Sequence, residues 1–208
     1  MARETTKDIT KTKILLVEGN HEQDLFSKLL HKLDLASDIQ IVNAQGKDKY
    51  PTQLKAIMKM PGHELITSVG IVGDADDNPQ RAFQNICKVL QEAKLPQPTA
   101  PLQPVKIDGL QVIVLILPDS QTKGMLETVC LESVKDDPAM ICVNQYFECL
   151  EQKLDKDKLP KNMAKSKIQA FLASRHEFAV DLGVAAQKSY WQFDHPVFET
   201  IKQFLQQL

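Results

Sequence analysis

Val69–Phe83 reads VGIVGDADDNPQRAF. An apolar run stops at three acids, Asp74, Asp76 and Asp77, and Asn78-Pro79 then offers a helix start. Asn serves as N-cap there, with Pro at the first helical position. The predicted helix carries its apolar stripe on Phe83, Ile86, Val89 and Leu90. A buried strand running straight into an amphipathic helix is one repeat of an alternating α/β pattern, and the preceding sequence supplies two more. Lys13–Val17 (KILLV) is a short buried strand, followed by a helix with apolar positions Leu25, Phe26, Leu29, Leu30 and Leu33. Ile39–Val42 (IQIV) is a second strand. After NAQGKDKYP, a helix through Leu54, Ile57 and Met58 ends near Pro61-Gly62, and LITSVGIVGDAD is the third strand. Strand and helix alternating three times predict an α/β fold, mainly a parallel sheet with flanking helices and right-handed crossovers.

The pattern then changes. Lys94–Pro104 (KLPQPTAPLQP) is too rich in proline for regular structure and reads as a surface loop. Asp108-Gly109 sits where a hairpin turn belongs, and its second arm, Val112–Leu117, is apolar enough for a central strand that Pro118-Asp119 ends. Beyond Thr122 the chain reads as helical: about Lys123–Val134, Pro138–Leu154, Pro160–Ser174, and a last helix from about His195 capped by Asp194. The expectation is one α/β domain over 1–208, divided into an alternating core (13–93), a loop and hairpin (94–121) and a helical C-terminal part (122–208) that packs back on the sheet.

With 208 residues, 43% hydrophobic, and a formal net charge of −2, the chain can bury a sizeable core but is not a basic coat for nucleic acid. Cys87, Cys130, Cys142 and Cys149 form no C-x-x-C pair, lie in apolar helical contexts and read as buried reduced thiols, as in a cytoplasmic protein. The histidines lack zinc-ligand spacing. The N-terminal stretch MARETTKDITKTK has no apolar targeting segment, and no run is long enough to span a membrane.

Open parallel sheets bind ligands outside the carboxyl ends of their strands. There the first strand delivers Glu18 and Gly19, and the second Gly46, Lys47 and Asp48. The third delivers Asp74, Asp76 and Asp77, and the later one Asp119 and, at a helix start, Glu127. If the extended backbone continues past Asp74, the Asp74 and Asp76 carboxylates share a side. Carboxylates that close raise one another's pKa unless a cation joins them, and Mg²⁺ or Mn²⁺, a hard ion, suits oxygen ligands. Aspartates also follow strands simply to cap helices and close turns.

LLVEGNHEQDLFSKLL, IVNAQGKDKY and GIVGDADDN, in that order and spacing, resemble the Toprim pattern, most closely its branch in nucleases of the OLD (overcoming lysogenization defect) type. That resemblance, over roughly 13–93, implies a Toprim/Rossmann-like three-layer fold with Mg²⁺ or Mn²⁺ as cofactor. It assigns the family glutamate to Glu18, the D-x-D to Asp74 and Asp76, and the family's Gly-Lys to Gly46 and Lys47. GMLETVCLES (124–133) and AAQKSYWQFDHPVF (185–198) look like parts of a small stand-alone Toprim-related family of unknown function. A further glutamate for a second metal is implied at Glu127 rather than Glu132, which lies more than a turn further along the helix, and Glu22 is another candidate. Lys165 and Lys167 are expected either to contact phosphate or to form a solvated helix face; Trp191 and Phe193, to stack bases or to pack a helix end. No G-x-x-x-x-G-K-[ST] loop occurs, so an ATPase of the OLD kind would come from another chain. No tyrosine has a topoisomerase setting, and no zinc module of the primase kind is present.

Two functions follow as expectations. One is a metal-dependent nuclease or phosphodiesterase acting on nucleic acid, DNA rather than RNA. In it Glu18, Asp74, Asp76 and Lys47 form the catalytic set, Glu127 and Glu22 extend the metal site, and Lys165 and Lys167 bind substrate. The other is a catalytically inactive Toprim-like binding or regulatory module. A phosphoacceptor receiver domain fits less well, because the first strand ends in one acid and a glycine rather than paired acids. A membrane partner is not expected, and a homo-oligomer is left open.

Overall fold

Apolar side chains alternate along the strands so completely that both faces of the sheet are buried. In β5 (Leu110–Leu117), Val112, Val114 and Ile116 enter one core, while Ile113, Leu115 and Leu117 enter the other. The computed structural model describes residues 8–208. The reading of the N-terminus as lacking a targeting segment rests partly on residues 1–7, which lie outside the described residues. β1 (Lys13–Val17), β2 (Ile39–Asn43), β3 (Ser68–Asp74), β4 (Val105–Ile107) and β5 form one sheet of order β2-β1-β3-β5-β4. All its pairs are parallel except the β4–β5 hairpin at the edge. Asp108 and Gly109, with φ of 51° and 86°, make the tight hairpin turn that the sequence predicts.

The helices complete a three-layer α/β fold. α1 (Asn20–Lys32) packs Leu25, Phe26, Leu29 and Leu30 on one face of the sheet. α2 (Tyr50–Ile57) and α3 (Pro79–Glu92) cover the other. α4 (Leu126–Ser133), α5 (Pro138–Lys153), α6 (Met163–Ala173), α7 (Leu182–Gln187) and α8 (Glu199–Gln207) join α1 and form the helical C-terminal part. Asn78 caps α3 as expected, its side chain accepting from Arg81 N at 2.9 Å. Such a cap contributes about 1 kcal/mol.

Several expectations are corrected. β3 begins at Ser68, because Leu65 sits 48% exposed in a short 3₁₀ turn. α4 starts three residues later than Lys123, since Gly124 (φ 144°) and extended Met125 carry the chain away from β5. α6 starts at Met163 behind an Asn162 cap. Asp194 does not cap the last helix: it pairs with Lys32 at 2.7 Å, and His195 Nδ1 accepts from Val197 N instead. Val89 is only half-buried. The thiols are all free, but Cys142 and Cys149 lie exposed on the outer face of α5, leaving Cys130 as the one fully buried among them. Trp191 packs rather than presenting itself to solvent: it is 2% exposed, stacks on Phe171 and donates Nε1–H to Leu182 O at 3.0 Å. Among the described residues no helix is long and apolar enough to cross a membrane.

Candidate functional site

The sheet order itself selects a place for chemistry. From β1 the chain crosses over α1 to β2 on one side; from β3 it crosses over α3, on the opposite face, to β5 on the other. Adjacent strands whose connections leave in opposite directions open a crevice at their carboxyl ends. β1 and β3 are those strands, and Glu18 and Asp74 stand at their ends.

Local hydrogen bonds fix this rim. Gly46 N donates to Glu18 O (2.9 Å), and Gly46 takes φ 120°, ψ 154°, a conformation open in practice only to glycine. This places the 3₁₀ turn Lys47–Lys49 beside β1. Asn43 ties the end of β2 to α1 through Asn20 Oδ1 (2.8 Å) and Gln23 Oε1 (3.1 Å). Glu22 reaches back to accept from Gly19 N at 3.0 Å. On the β3 side, Asp76 and Gly124 exchange backbone hydrogen bonds of 2.8 Å each, holding the start of α4 against the end of β3. Leu126 N then donates to Asp74 Oδ1 at 3.2 Å.

Asp76 takes φ 49°, so the extended backbone does not continue and the shared side expected for Asp74 and Asp76 is lost. Asp74 turns toward the start of α4, whereas Asp76 pairs with Lys47. Even so, Glu18, Lys47, Asp74 and Asp76 all line one cleft, of about 660 Å³, between α2 and α3.

The electrostatics of the rim are uneven. Burial, reinforced by Glu22, Glu18 and Glu127 and opposed by Lys47, pushes Asp74 up to about 8. Burial also raises Glu18; Lys47 pulls it back, Glu22 and Asp76 add to the rise, and Lys165 opposes it. Glu18 Oε2 is buried without a hydrogen-bond partner, Lys47 Nζ standing 4.0 Å away. An unsatisfied buried carboxylate oxygen is costly, so its presence at a ligand crevice needs a cause. Glu127, 7% exposed, lies 3.8 Å from Lys165 Nζ. The Lys167 side chain is engaged elsewhere, donating to Asn144 on α5 at 2.8 Å. Glu132 pairs with Lys135. Asp119 accepts from Gln121 N, Thr122 N and Thr122 Oγ1; burial alone would raise it, but these bonds hold it below the usual carboxylate range.

Whether the rim fits a divalent cation is testable on these atoms. Hard oxygen donors and the orphaned Glu18 oxygen favour the fit. Yet among the described residues no three His, Cys, Asp or Glu side chains stand together as a ready group for a metal ion. Asp76 is drawn to Lys47, and Glu22 to Gly19 N; these side chains would have to turn toward an incoming cation.

The cleft also holds residues not anticipated from sequence. Arg81 and Asn85, on the exposed side of α3, line it with Asn78. Arg81 does carry one legible signal: a cation in the first turn opposes the helix dipole and so calls for another reason.

The chain is similar to solved structures of the C-terminal region of the Xanthomonas campestris pv. campestris OLD protein. One, phased with iodine, is 13% identical, covers 95% of this chain and 96% of that one, and has a TM-score of 0.46. Another, phased with mercury, is 12% identical, covers 96% and 87%, and has a TM-score of 0.38. No curated protein matches the chain. One family model matches residues 12–208, and the chain therefore belongs to the family described as "Protein of unknown function (DUF3226)".

Proposed function

We propose that this chain is a Mg²⁺- or Mn²⁺-dependent phosphodiesterase of the Toprim type, acting on nucleic acid. The observation that carries this reading is the buried Glu18 Oε2, which has no hydrogen-bond partner, at the β1–β3 switch point and in the same cleft as Asp74. Acids gathered where burial opposes their ionisation are an unfavourable arrangement for a turn and a favourable one for a cation. Glu18 and Asp74 would hold the first metal, with Asp76 joining if Lys47 releases it. Glu127 and Glu22, which couple electrostatically to Asp74, would serve a second. The bound ion would supply Lewis-acid polarisation of a phosphoryl oxygen and a more acidic water.

The remaining roles belong to side chains. Lys47, beside Asp76 and Glu18, and Lys165, beside Glu127, place positive charge where negative charge develops on a phosphate. Lys167 has no part in this arrangement. The half-buried Asp74 carboxylate accepts from Leu126 N, so its orientation does not depend on the ion.

The Lys47–Asp76 pair favours a second reading, a catalytically silent binding module, because it supplies the counter-charge internally. A plasmid-nicking assay with Mg²⁺ or Mn²⁺ separates the two. Nicking by the wild type that is lost in Asp74→Asn and Glu18→Gln supports the enzyme. Calorimetric Mg²⁺ binding without nicking supports the module.

A further inference from the structure

The cleft extends well beyond its acids. Its lining runs along α3 from Asn78 to Val89, a distance of roughly 16 Å at 1.5 Å per residue. Its volume, about 660 Å³, falls within the ~300–1,000 Å³ typical of pockets that enclose an organic ligand. The carboxylates come only from the strand ends and the turns that follow them, while further along α3 the lining carries no acid and combines the apolar Ala82, Ile86 and Val89 with Arg81 and Asn85. Pro51 of α2, Ala82, Ile86 and Val89 of α3, and Ile71 of β3 supply its apolar lining. A site for an ion and a phosphate alone has no use for such an arm.

We propose that this apolar arm is a subsite for one unstacked nucleobase, which makes the substrate single-stranded or frayed nucleic acid rather than intact duplex. The proposal rests on the phosphodiesterase reading and deepens it. A base within a duplex has its faces covered by its neighbours and its pairing edge engaged. A slot bounded by two helices and a strand accepts it only after it leaves the stack. Unstacking is least costly where the strand is already single, so that form is preferred. Apolar walls then replace the stacking partners.

Two polar groups complete the fit. Asn85 lies exposed along the arm, and its amide, with no hydrogen bond among the described residues, offers both donors and an acceptor to a base edge. Arg81 lies one turn nearer the acids, and its guanidinium has no ion-pair partner among the described residues. It is placed to hold a backbone phosphate next to the one at Glu18 and Asp74. Asn78 plays no such part, because its side chain is committed to capping α3.

The test uses the full chain with Mg²⁺, a fluorescein-labelled single-stranded oligodeoxynucleotide, and the same sequence as a blunt duplex. Mg²⁺ binding is followed by calorimetry in parallel. The single strand is expected to bind at least about tenfold tighter than the duplex. Ala82→Phe, which fills the arm, and Asn85→Ala, at an exposed position that leaves folding intact, are each expected to weaken strand binding by about tenfold. Neither changes Mg²⁺ affinity. If both variants bind the strand as the wild type does, or if duplex binds equally well, the subsite is overturned while the metal reading stands. If the wild type binds no Mg²⁺, the phosphodiesterase reading falls and takes the subsite with it.

Discussion

Replacing Asp74 by Asn should stabilise the metal-free protein, and by an amount that grows with pH. Asn keeps the carbonyl oxygen that accepts from Leu126 N but removes a charge that burial and three neighbouring acids oppose. The folded-state pKa of Asp74 is raised from 3.8 to about 8. Between those values the unfolded chain has released the proton that the folded chain retains, so stability falls as pH rises through this window and levels off above it. At 1.36 kcal/mol per tenfold, the full difference has a ceiling of about 6 kcal/mol. Water entry and side-chain relaxation reduce it, and a gain of about 2 kcal/mol for Asp74→Asn above pH 8 is the working expectation. Urea denaturation of both proteins in EDTA, at pH 4, 6 and 8.5, measures it. The two curves should nearly coincide at pH 4 and separate by pH 8.5. Saturating Mg²⁺ should then stabilise the wild type, by about 2.7 kcal/mol at a hundredfold excess over Kd, and leave Asp74→Asn unmoved. A variant less stable than wild type at pH 8.5 without metal would refute the claim that this acid is held at a cost.

Other expectations are simpler to check. Gly46→Ala forces a side chain into φ 120°, ψ 154° and should destabilise by about 1–3 kcal/mol in urea denaturation, with weaker Mg²⁺ binding because the Lys47 turn shifts. A thiol reagent should modify Cys142 and Cys149 quickly in the native protein, followed by mass spectrometry, while Cys130 reacts only on unfolding. Trp191→Ala should cost about 3–5 kcal/mol, because the ring fills the core against Phe171 and its N–H is satisfied by Leu182 O.

Much of the fold is legible in the chain because the same positions satisfy several requirements at once. The run Val112–Leu117 is apolar on both alternating faces, as a strand covered on both sides must be, and the Asp108-Gly109 turn tolerates the positive φ of a tight hairpin. Asn78-Pro79 states a helix start in two residues, and the start is found there. The gathering of Glu18, Lys47, Asp74 and Asp76 around one cleft is legible for a topological reason: each stands at or just beyond the carboxyl end of a strand of the parallel sheet, and all parallel strands end at one edge.

What was not legible depends on contacts between distant parts of the chain. Asp76 leaves the extended conformation because its backbone pairs with Gly124, nearly fifty residues on. The short α7 carries little pattern of its own. It is fixed by the Asp181 cap and by close packing on α1, where a Cβ on Gly183 would stand 2.3 Å from Asp24 Oδ2. Cys142 and Cys149 sit among apolar neighbours in sequence, but helical rotation puts them on the face of α5 opposite Met140, Val143 and Phe147. Arg81 and Asn85 lie on the exposed side of α3, and only the folded chain sets them in one cleft with Tyr50 and Pro51 of α2.

Seating of a divalent cation between Glu18 and Asp74 is the claim on which the function depends, and a crystal soaked in Mn²⁺ measures it directly. We expect an anomalous peak bridging the two carboxylates, with oxygen distances of about 2.0–2.2 Å. Glu18 Oε2 should be among the ligands. Crystals that take up Mn²⁺ only at other acids, or show no peak at the ends of β1 and β3, would contradict it.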